Sequence, residues 1–169
     1  MKSKFKAVFI CVAFAFMMPA CTTANQHESN DVKNKTQSFA DGSVLNVTLA
    51  DNDLKLVVAN SPKAKAEGLS YKKEIPEDGM IFFFPELETL SFWMKDMNFP
   101  IDMIWIAEDR VVGIEKNVPA PEPGTKITDL KTYSPNEKAD IVVEVEAGAS
   151  DKLNIVPGSI LQIKKINGE

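Results

Sequence analysis

Residues 79–107 read GMIFFFPELETLSFWMKDMNFPIDMIWIA and hold the densest group of large apolar and aromatic side chains beyond the first twenty residues. A buried aromatic ring removes about 150 to 250 Å² from water, so this stretch predicts the core of the fold. Among its charged residues, Lys95, Asp96 and Asp102 lie on either side of the connection at 97–100. Their position inside an apolar stretch makes them the first candidates for a site.

The connection Met97-Asn98-Phe99-Pro100 carries two residue types that are common in turns, and it predicts a hairpin. If the connection closes symmetrically, Lys95 lies opposite Asp102 and Trp93 lies opposite Ile104. Side chains alternate along a strand, so these four residues share one face. We therefore expect a cross-strand ion pair of Lys95 with Asp102 beside Trp93, contributing about 0.2 to 1 kcal/mol.

The first twenty residues have the form of an export signal. A basic segment, Met1–Lys6, precedes an apolar run, Ala7–Met18, which is too short for a bilayer span of about 20 residues. Cys21 directly follows the small residue Ala20, an arrangement that resembles a bacterial lipoprotein signal with lipid on the cysteine. We predict a signal peptide at 1–20 with lipidation at Cys21. The alternative is a plain secretory signal followed by a chance cysteine.

The lipoprotein signal predicts a location and a domain organisation. Thr22, not Asp, follows the cysteine, and by resemblance to Gram-negative lipoproteins this favours the outer membrane over the inner one. We expect an exported protein of the cell envelope, anchored in the membrane through Cys21. The polar residues 21–42 predict a lipidated, flexible tether. Residues 43–169 are of a length typical of one domain, here β-rich.

Charge and residue content exclude several classes of function. Three of the 19 basic residues lie in the signal, which leaves 16 against 24 acidic residues and a net charge of −8. No nucleic-acid partner is expected, because binding phosphates relies on clustered Lys and Arg. Cys11 leaves with the signal and Cys21 carries lipid, so no thiol remains for catalysis or metal binding. The single histidine, His27, lies in the tether. We therefore expect no metal site and no cofactor.

The remaining pattern predicts a mostly β (α+β) fold: a compact small β-barrel or barrel-like sandwich of seven or eight short strands with two short helices. Alternation at Leu45–Leu49 and at Leu54–Ala59 predicts a hairpin, and Ser61-Pro62 predicts a short helix that Gly68 ends. Residues 119–139 carry four prolines and little periodicity, which is typical of a functional or mobile loop. The other predicted elements are strands at Met80–Phe84, Arg110–Val118, Ile141–Glu146 and Ile160–Ile166 and a helix at Ala147–Leu153.

Several segments together resemble the domain of unknown function 192 family, small bacterial and archaeal proteins that are often exported. The resemblance covers residues 44–163, and its most specific feature is Phe-Trp-Met-Lys followed by Pro-Ile-Asp. Family members usually have Met at Ser70, Asn at Asp96 and often Phe at Trp105. The resemblance implies a compact, mostly β fold and brings no known reaction. The matching segments are GLSYKKEIPEDGMIFFFP (68–85), SFWMKDMNFPIDMIWI (91–106), VPAP (118–121), TYSP (132–135) and IVVEVEAG (141–148).

We predict a ligand-binding site where the long loop folds over the central hairpin, formed by Trp93, Lys95, Asp102, Tyr133 and Ser134. Each residue also has a structural interpretation. The ion pair would fix the register of the hairpin, Trp93 would pack in the core, and Tyr133 and Ser134 would form a turn. A binding or accessory module is thus the preferred function, with a small molecule, a glycan or an envelope protein as its candidate partner.

Two other functions stay open. Asp96 and Asp102 suggest a hydrolase of cell-wall glycan, in which one carboxylic acid protonates the leaving oxygen and the other acts as base or nucleophile. The predicted hairpin argues against it, because the two side chains point to opposite faces. The third alternative is a structural envelope protein without a small ligand.

Overall fold

The computed structural model describes residues 39–164; the predicted signal, Cys21, His27 and most of the predicted tether lie outside these residues. The helices of the described part are α1 (Pro62–Glu67) and α2 (Ala149–Lys152), and a single 3₁₀ turn covers Ile127–Asp129. Its strands are β1 (Val44–Leu49), β2 (Asn52–Ala59), β3 (Met80–Glu88), β4 (Phe92–Trp93), β5 (Ile101–Ala107), β6 (Arg110–Val118), β7 (Thr132–Tyr133), β8 (Ala139–Glu146) and β9 (Leu161–Ile163).

Seven strands form one strongly curled sheet in the order β6-β5-β8-β3-β2-β1-β9. Only β2 and β3 pair in parallel, and the crossover between them contains α1. The two edges of the sheet approach each other through a bridge between Arg110 and Ile160, and the Val111 N–H donates to the Ser159 carbonyl. The sheet is a half-barrel, and the predicted mostly β fold with two short helices is confirmed; the described residues form nine strands where seven or eight were predicted.

The half-barrel has an apolar cluster on each of its faces. The inner core receives side chains from all seven strands of the sheet and includes Leu56, Ile81, Ile104 and Val143. The outer core lies on the opposite face of β3, β5 and β8 and includes Phe82 and Trp105. Alternation along each strand distributes its residues between the two clusters. Segments outside the seven-stranded sheet, at residues 69–75, 90–99 and 132–133, add Leu69, Leu90, Met94, Met97 and Tyr133 to the outer core; we call these segments the covering layer.

Local sequence signals explain the first elements. β1 and β2 form the predicted hairpin, and Ala50 and Asp51 both have positive φ in its two-residue turn. The Ser61 hydroxyl accepts a hydrogen bond from the Ala64 N–H, and Pro62 opens α1. Gly68 ends this helix with φ of 46°. The predicted hairpin and the predicted helix are both confirmed.

Residues 39–42, at the end of the predicted tether, bind the domain. Phe39 stacks on Phe83 with ring centroids 5.3 Å apart, and the Asp41 carboxylate accepts hydrogen bonds from the backbone N–H groups of Asn60 and Ser61. A hydrogen bond from the Ser61 hydroxyl, followed by these two backbone bonds, holds the pKa of Asp41 below its usual value. The ordered domain thus begins before Val44.

The predicted hairpin around residues 97–100 is wrong. β4 pairs with β7, where Phe92 lies opposite Tyr133, and β5 lies between β6 and β8. Because β4 and β5 do not pair, Lys95 is not opposite Asp102, and the predicted ion pair between them is absent from the described bonds. The pairing follows from the two cores. β5 is buried on both faces and takes an interior position in the sheet, between β6 and β8, whereas β4 belongs to the covering layer.

Candidate functional site

A pocket of about 350 Å³ opens on the outer face of the sheet. Its walls come from the end of α1 and the turn after it, from β3 and from the covering layer. We call it the outer pocket. Pockets for small molecules are usually about 300 to 1,000 Å³, apolar and equipped with a few polar groups. Its lining residues are Lys65, Ala66, Glu67, Gly68, Leu69, Ser70, Phe82, Phe84, Ser91, Phe92, Trp93, Met97 and Glu144.

Aromatic rings dominate the walls of the outer pocket. The Phe92 ring contacts the rings of Phe82, Phe84 and Trp105 edge-on, with centroids 5.3 to 6.2 Å apart. These contacts fix the orientation of Phe92. Trp93 is 47% exposed at the pocket. The walls are therefore rigid and offer both ring faces and ring edges to a ligand.

Glu144 is the unusual residue of this pocket. Its side chain lies on the outer face of β8, next to Val142, and the residue is only 5% exposed. Among residues 39–164, no side chain or backbone group forms a hydrogen bond or an ion pair with its carboxyl group. Burial alone raises the pKa of Glu144 from 4.5 to about 8. At neutral pH this carboxyl group is therefore mostly protonated and has no partner.

The backbone around Glu144 is tightly packed. Glu144 pairs with Met80 on β3 and with Met103 on β5, so the strand cannot shift sideways. Gly79 crosses directly over it with φ of 147°, and a Cβ atom there would lie 2.1 Å from the Glu144 carbonyl oxygen. Only glycine fits at this crossing. The position of the acid in the pocket is therefore fixed by its own strand and by its neighbours.

Lys65 lines the same pocket. Its Nζ donates to the Phe83 carbonyl oxygen at 2.5 Å and lies 4.4 Å from the centre of the Phe84 ring. Burial lowers the pKa of Lys65, while the charges of Glu88 and Asp41 act in the opposite direction. Lys65 is thus held by the carbonyl and the ring and forms no ion pair with Glu144.

A second depression of about 500 Å³, the rim groove, shares residues 66–68 and Ser70 with the outer pocket. Its other residues are Lys63, Tyr71, Lys72 and Lys95. Tyr71 is 74% exposed with φ of 61°, a conformation that is uncommon for a bulky side chain. Its N–H donates to the carbonyl oxygen of Asp96, which also has positive φ. Strained exposed residues of this kind often accompany functional sites.

Lys95 binds its neighbour in the chain, Asp96, with Nζ 2.6 Å from the carboxylate oxygen. The hydrogen bond from Lys95, and then that from Tyr71, holds the pKa of Asp96 below its usual value. The same carboxylate raises the pKa of Tyr71 and the pKa of Lys95. Because both charged side chains are partly exposed, this pair adds little to stability.

Asp102 is fully buried, and its partners are backbone groups and one hydroxyl group. The N–H groups of Asn117 and Gly148 donate to Oδ1 at 2.7 and 3.1 Å. The N–H and the hydroxyl of Ser150 donate to Oδ2. Burial raises the pKa of Asp102, but the four hydrogen bonds outweigh it and lower the pKa below its usual value. Asp102 thus ties β5 to the end of β6 and the start of α2.

The other predicted site residues are spread over the covering layer. Tyr133 is 8% exposed in β7, under Lys131, whose Nζ lies 4.4 Å from the centre of the tyrosine ring. Ser134 is exposed beside it and lines neither the outer pocket nor the rim groove. Of the five predicted residues, only Trp93 lines the outer pocket and only Lys95 lines the rim groove.

Asp96 and Asp102 do not form a facing pair of carboxylates. Both oxygens of Asp102 are bound to the chain, and Asp96 is bound by Lys95. The geometry of a glycoside hydrolase, with two carboxyl groups flanking one bond, is therefore not present at these two residues.

Between residues 39 and 164, no three of His, Cys, Asp and Glu are grouped as a metal site would require. In the same range, none of the helices has the length and the apolar character needed to cross a bilayer.

The curled sheet with a covering layer and a pocket on its outer face defines the class of protein: a small β domain with a two-sided core. The chain belongs to the domain of unknown function 192 family (DUF192, "Uncharacterized ACR"), whose model matches residues 45–163. The sequence resemblance is thereby confirmed. None of the curated proteins matches the sequence.

Two crystal structures share this fold. One, from Sinorhizobium meliloti 1021, is described as a "putative transcription regulator"; it is 28% identical, with a TM-score of 0.63, over 74% of this chain and 97% of that one. The other is a protein of unknown function from Novosphingobium aromaticivorans DSM 12444. It is 23% identical, with a TM-score of 0.61, over 75% of this chain and 95% of that one. The second likeness shows the fold alone.

The sequence did not indicate Glu144 as a site residue. In IVVEVEAG it follows the ordinary pattern of a strand with one apolar and one solvent-facing side, so it is typical of an exposed position. The available signal was the neighbouring strand, since GMIFFF is apolar on both faces and requires a cover on each side. A polar residue on β8 beside such a strand must then lie under that cover.

Proposed function

We propose that the chain is a binding module for a small molecule and that its ligand occupies the outer pocket. One observation supports this most strongly: a buried carboxyl group without a partner lines an open pocket with aromatic walls. The oxygens of this carboxyl group are accessible from the pocket, and a hydrogen bond to a charged group contributes about 1.5 to 3 kcal/mol. A ligand that donates to Glu144 would gain such a bond.

The proposed ligand site is therefore the outer pocket and not the predicted site at the central hairpin and the long loop. Trp93 and Lys95 stay near the ligand, at the outer pocket and the rim groove, whereas Asp102 has a structural role. The basic side chains of the rim groove do not favour a nucleic acid as the ligand. Binding a nucleic-acid backbone requires many Lys and Arg residues to neutralise its phosphates, and this chain carries a net charge of −5. The description of the Sinorhizobium meliloti structure is therefore not extended to this chain.

Binding can be tested with three probes that share a phenyl ring on a short chain and end in a cationic, a neutral or an anionic group: phenethylamine, phenethyl alcohol and phenylacetate. Titration calorimetry of the purified protein should show saturable binding of at least one of them. A Ser91→Trp variant fills the pocket from its exposed edge and should abolish that binding. Thr89→Trp is the matched control, since Thr89 is exposed two residues earlier and does not line the pocket. If no probe binds at millimolar concentration, or if Ser91→Trp binds as well as Thr89→Trp, the proposal fails.

We also propose that the module is held at the cell envelope by lipid on Cys21, which supports binding of a ligand outside the cytoplasm. Expressed with its own signal in a Gram-negative host, the protein should incorporate labelled fatty acid and enter the detergent phase on partitioning. Cys21→Ser should remove both properties, and Cys11→Ser, inside the predicted signal, should keep them. Incorporation of label into the Cys21→Ser variant would refute the anchor.

A further inference from the structure

Glu144 restricts the chemistry of the ligand, and this inference rests on the proposed function. The two residues paired with it on the neighbouring strands, Met80 and Met103, are not ionisable. The lining of the outer pocket adds the ionisable side chains of Lys65 and Glu67. Glu67 pairs with Lys63 at 3.8 Å, and Lys65 is held by a carbonyl oxygen and a ring. No described cation thus neutralises Glu144.

A carboxyl group in such a place is best matched by a group that carries positive charge and donates hydrogen bonds. The charge compensates the carboxylate in a medium of low dielectric constant, where attraction is strong, and the donors fill its lone pairs. A hydroxyl group would supply a donor without the charge. An anion would be repelled, because its negative charge would lie next to that of the carboxylate.

The aromatic walls favour the same chemistry. Faces of Phe, Tyr and Trp attract cations, and Trp is the strongest of the three. Lys65 already shows an ammonium group at 4.4 Å from the Phe84 ring in this pocket. Leu69, Met97 and the rings supply the apolar part of a pocket of about 350 Å³, a volume that suits a compact body with one charged group rather than a polycation.

We propose that the ligand of the outer pocket is a small primary or secondary monoamine with an apolar or aromatic body, and that its ammonium group pairs with the Glu144 carboxylate. The amine enters as the cation R–NH₃⁺. The carboxyl group gives up its proton to solvent as the ion pair forms, so the charges balance and one proton is released for each bound ligand. The apolar body lies against Phe82, Phe92 and Trp93.

The test uses the purified protein and the same three probes. Phenethylamine should bind at least tenfold more tightly than phenethyl alcohol at pH 8, and phenylacetate should not bind. Calorimetry in phosphate and in Tris at pH 7, two buffers with different ionisation enthalpies, should show release of nearly one proton with the amine and none with the alcohol. Because the proton must leave first, the affinity for the amine should rise about tenfold from pH 6 to pH 7.

Glu144→Gln is the variant that isolates the charge. It should reduce the affinity for phenethylamine at least tenfold, abolish proton release and leave the affinity for phenethyl alcohol unchanged. Glu146→Gln, at an exposed residue of the same strand that does not line the pocket, should keep the preference for the amine. The wild-type pH profile needs no variant and therefore stands even if Glu144→Gln folds poorly.

The possible results separate the two proposals. Tight binding of the alcohol or of phenylacetate without the amine would overturn the amine inference and leave the pocket as a binding site. Binding of the amine without proton release would also overturn it, because Glu144 would then not be the partner. Absence of binding by all three probes would overturn the inference together with the proposed function.

Discussion

Replacing Glu144 with glutamine should remove a pH dependence from the stability of the fold. Burial raises the pKa of Glu144 from 4.5 to about 8, so between these values the folded protein holds a proton that the unfolded chain has released. The free energy of unfolding therefore falls as the pH rises through this window. Each pH unit inside it lowers the free energy by about 1.4 kcal/mol. From pH 5 to pH 8 the free energy of unfolding should fall by about 3 to 4 kcal/mol, because its slope against pH decreases near each of the two pKa values.

Urea unfolding of the wild type and of Glu144→Gln at pH 5, 6, 7 and 8 measures this directly. The difference between the two proteins, and not either curve alone, isolates Glu144, since all other groups titrate in both. Glu146→Gln is the matched control, because Glu146 is exposed two residues further along the same strand. It should follow the wild type at every pH. Parallel curves for the wild type and Glu144→Gln, within about 0.5 kcal/mol from pH 5 to pH 8, would refute the argument that Glu144 is buried without a partner.

Two further pairs of variants test the structural roles by urea unfolding. Asp102→Asn should lower the free energy of unfolding by about 3 kcal/mol or more, because an amide cannot accept the four hydrogen bonds. Lys95→Met should cost less than about 1 kcal/mol, since its ion pair is partly exposed; equal losses for both would contradict the assignment. Gly79→Ala should cost about 3 kcal/mol or more through its clash with the Glu144 carbonyl. Gly124→Ala, with φ of 85° and nothing within 4 Å, should cost only about 1 to 2 kcal/mol, and an equal loss at Gly79 would count against the clash.

The elements that the sequence predicted correctly are those specified by neighbouring residues. The β1 and β2 hairpin needs only alternation and a two-residue turn, and α1 needs only Ser61, Pro62 and Gly68. Each of these signals acts within a few residues or at one turn, so a single sequence contains it.

The central hairpin failed because its strands take distant partners. Phe92 pairs with Tyr133 and Ile104 pairs with Val143, and local turn chemistry carries no information about either pair. For Asp102, the nearest residue of opposite charge, Lys95, was the natural partner to choose. Its actual partners are 15, 46 and 48 residues later in the chain and are mostly backbone N–H groups, which every sequence offers everywhere.

The site was only partly predictable, because some of its residues belong to one local motif whereas others depend on contacts with distant parts of the chain. Trp93 and Lys95 belong to the specific Phe-Trp-Met-Lys segment and lie at the outer pocket and the rim groove. Glu144 was not predicted because its burial depends on the covering layer, whose residues lie far from β8 in the sequence. A period of two in the sequence shows which residues share a face of a strand. It does not show whether a second layer covers that face.

The bonds of Asp102 also have a consequence for the kinetics of folding. The carboxylate joins β5 to a segment that is 46 to 48 residues distant, so the network can close only after β8 and α2 have been added to the sheet. Such late contacts are absent from the transition state of folding, and they act on the rate of unfolding. We expect Asp102→Asn to unfold about 100-fold faster and to refold at nearly the wild-type rate. Asp102 would thus slow the unfolding of the completed half-barrel without affecting its formation.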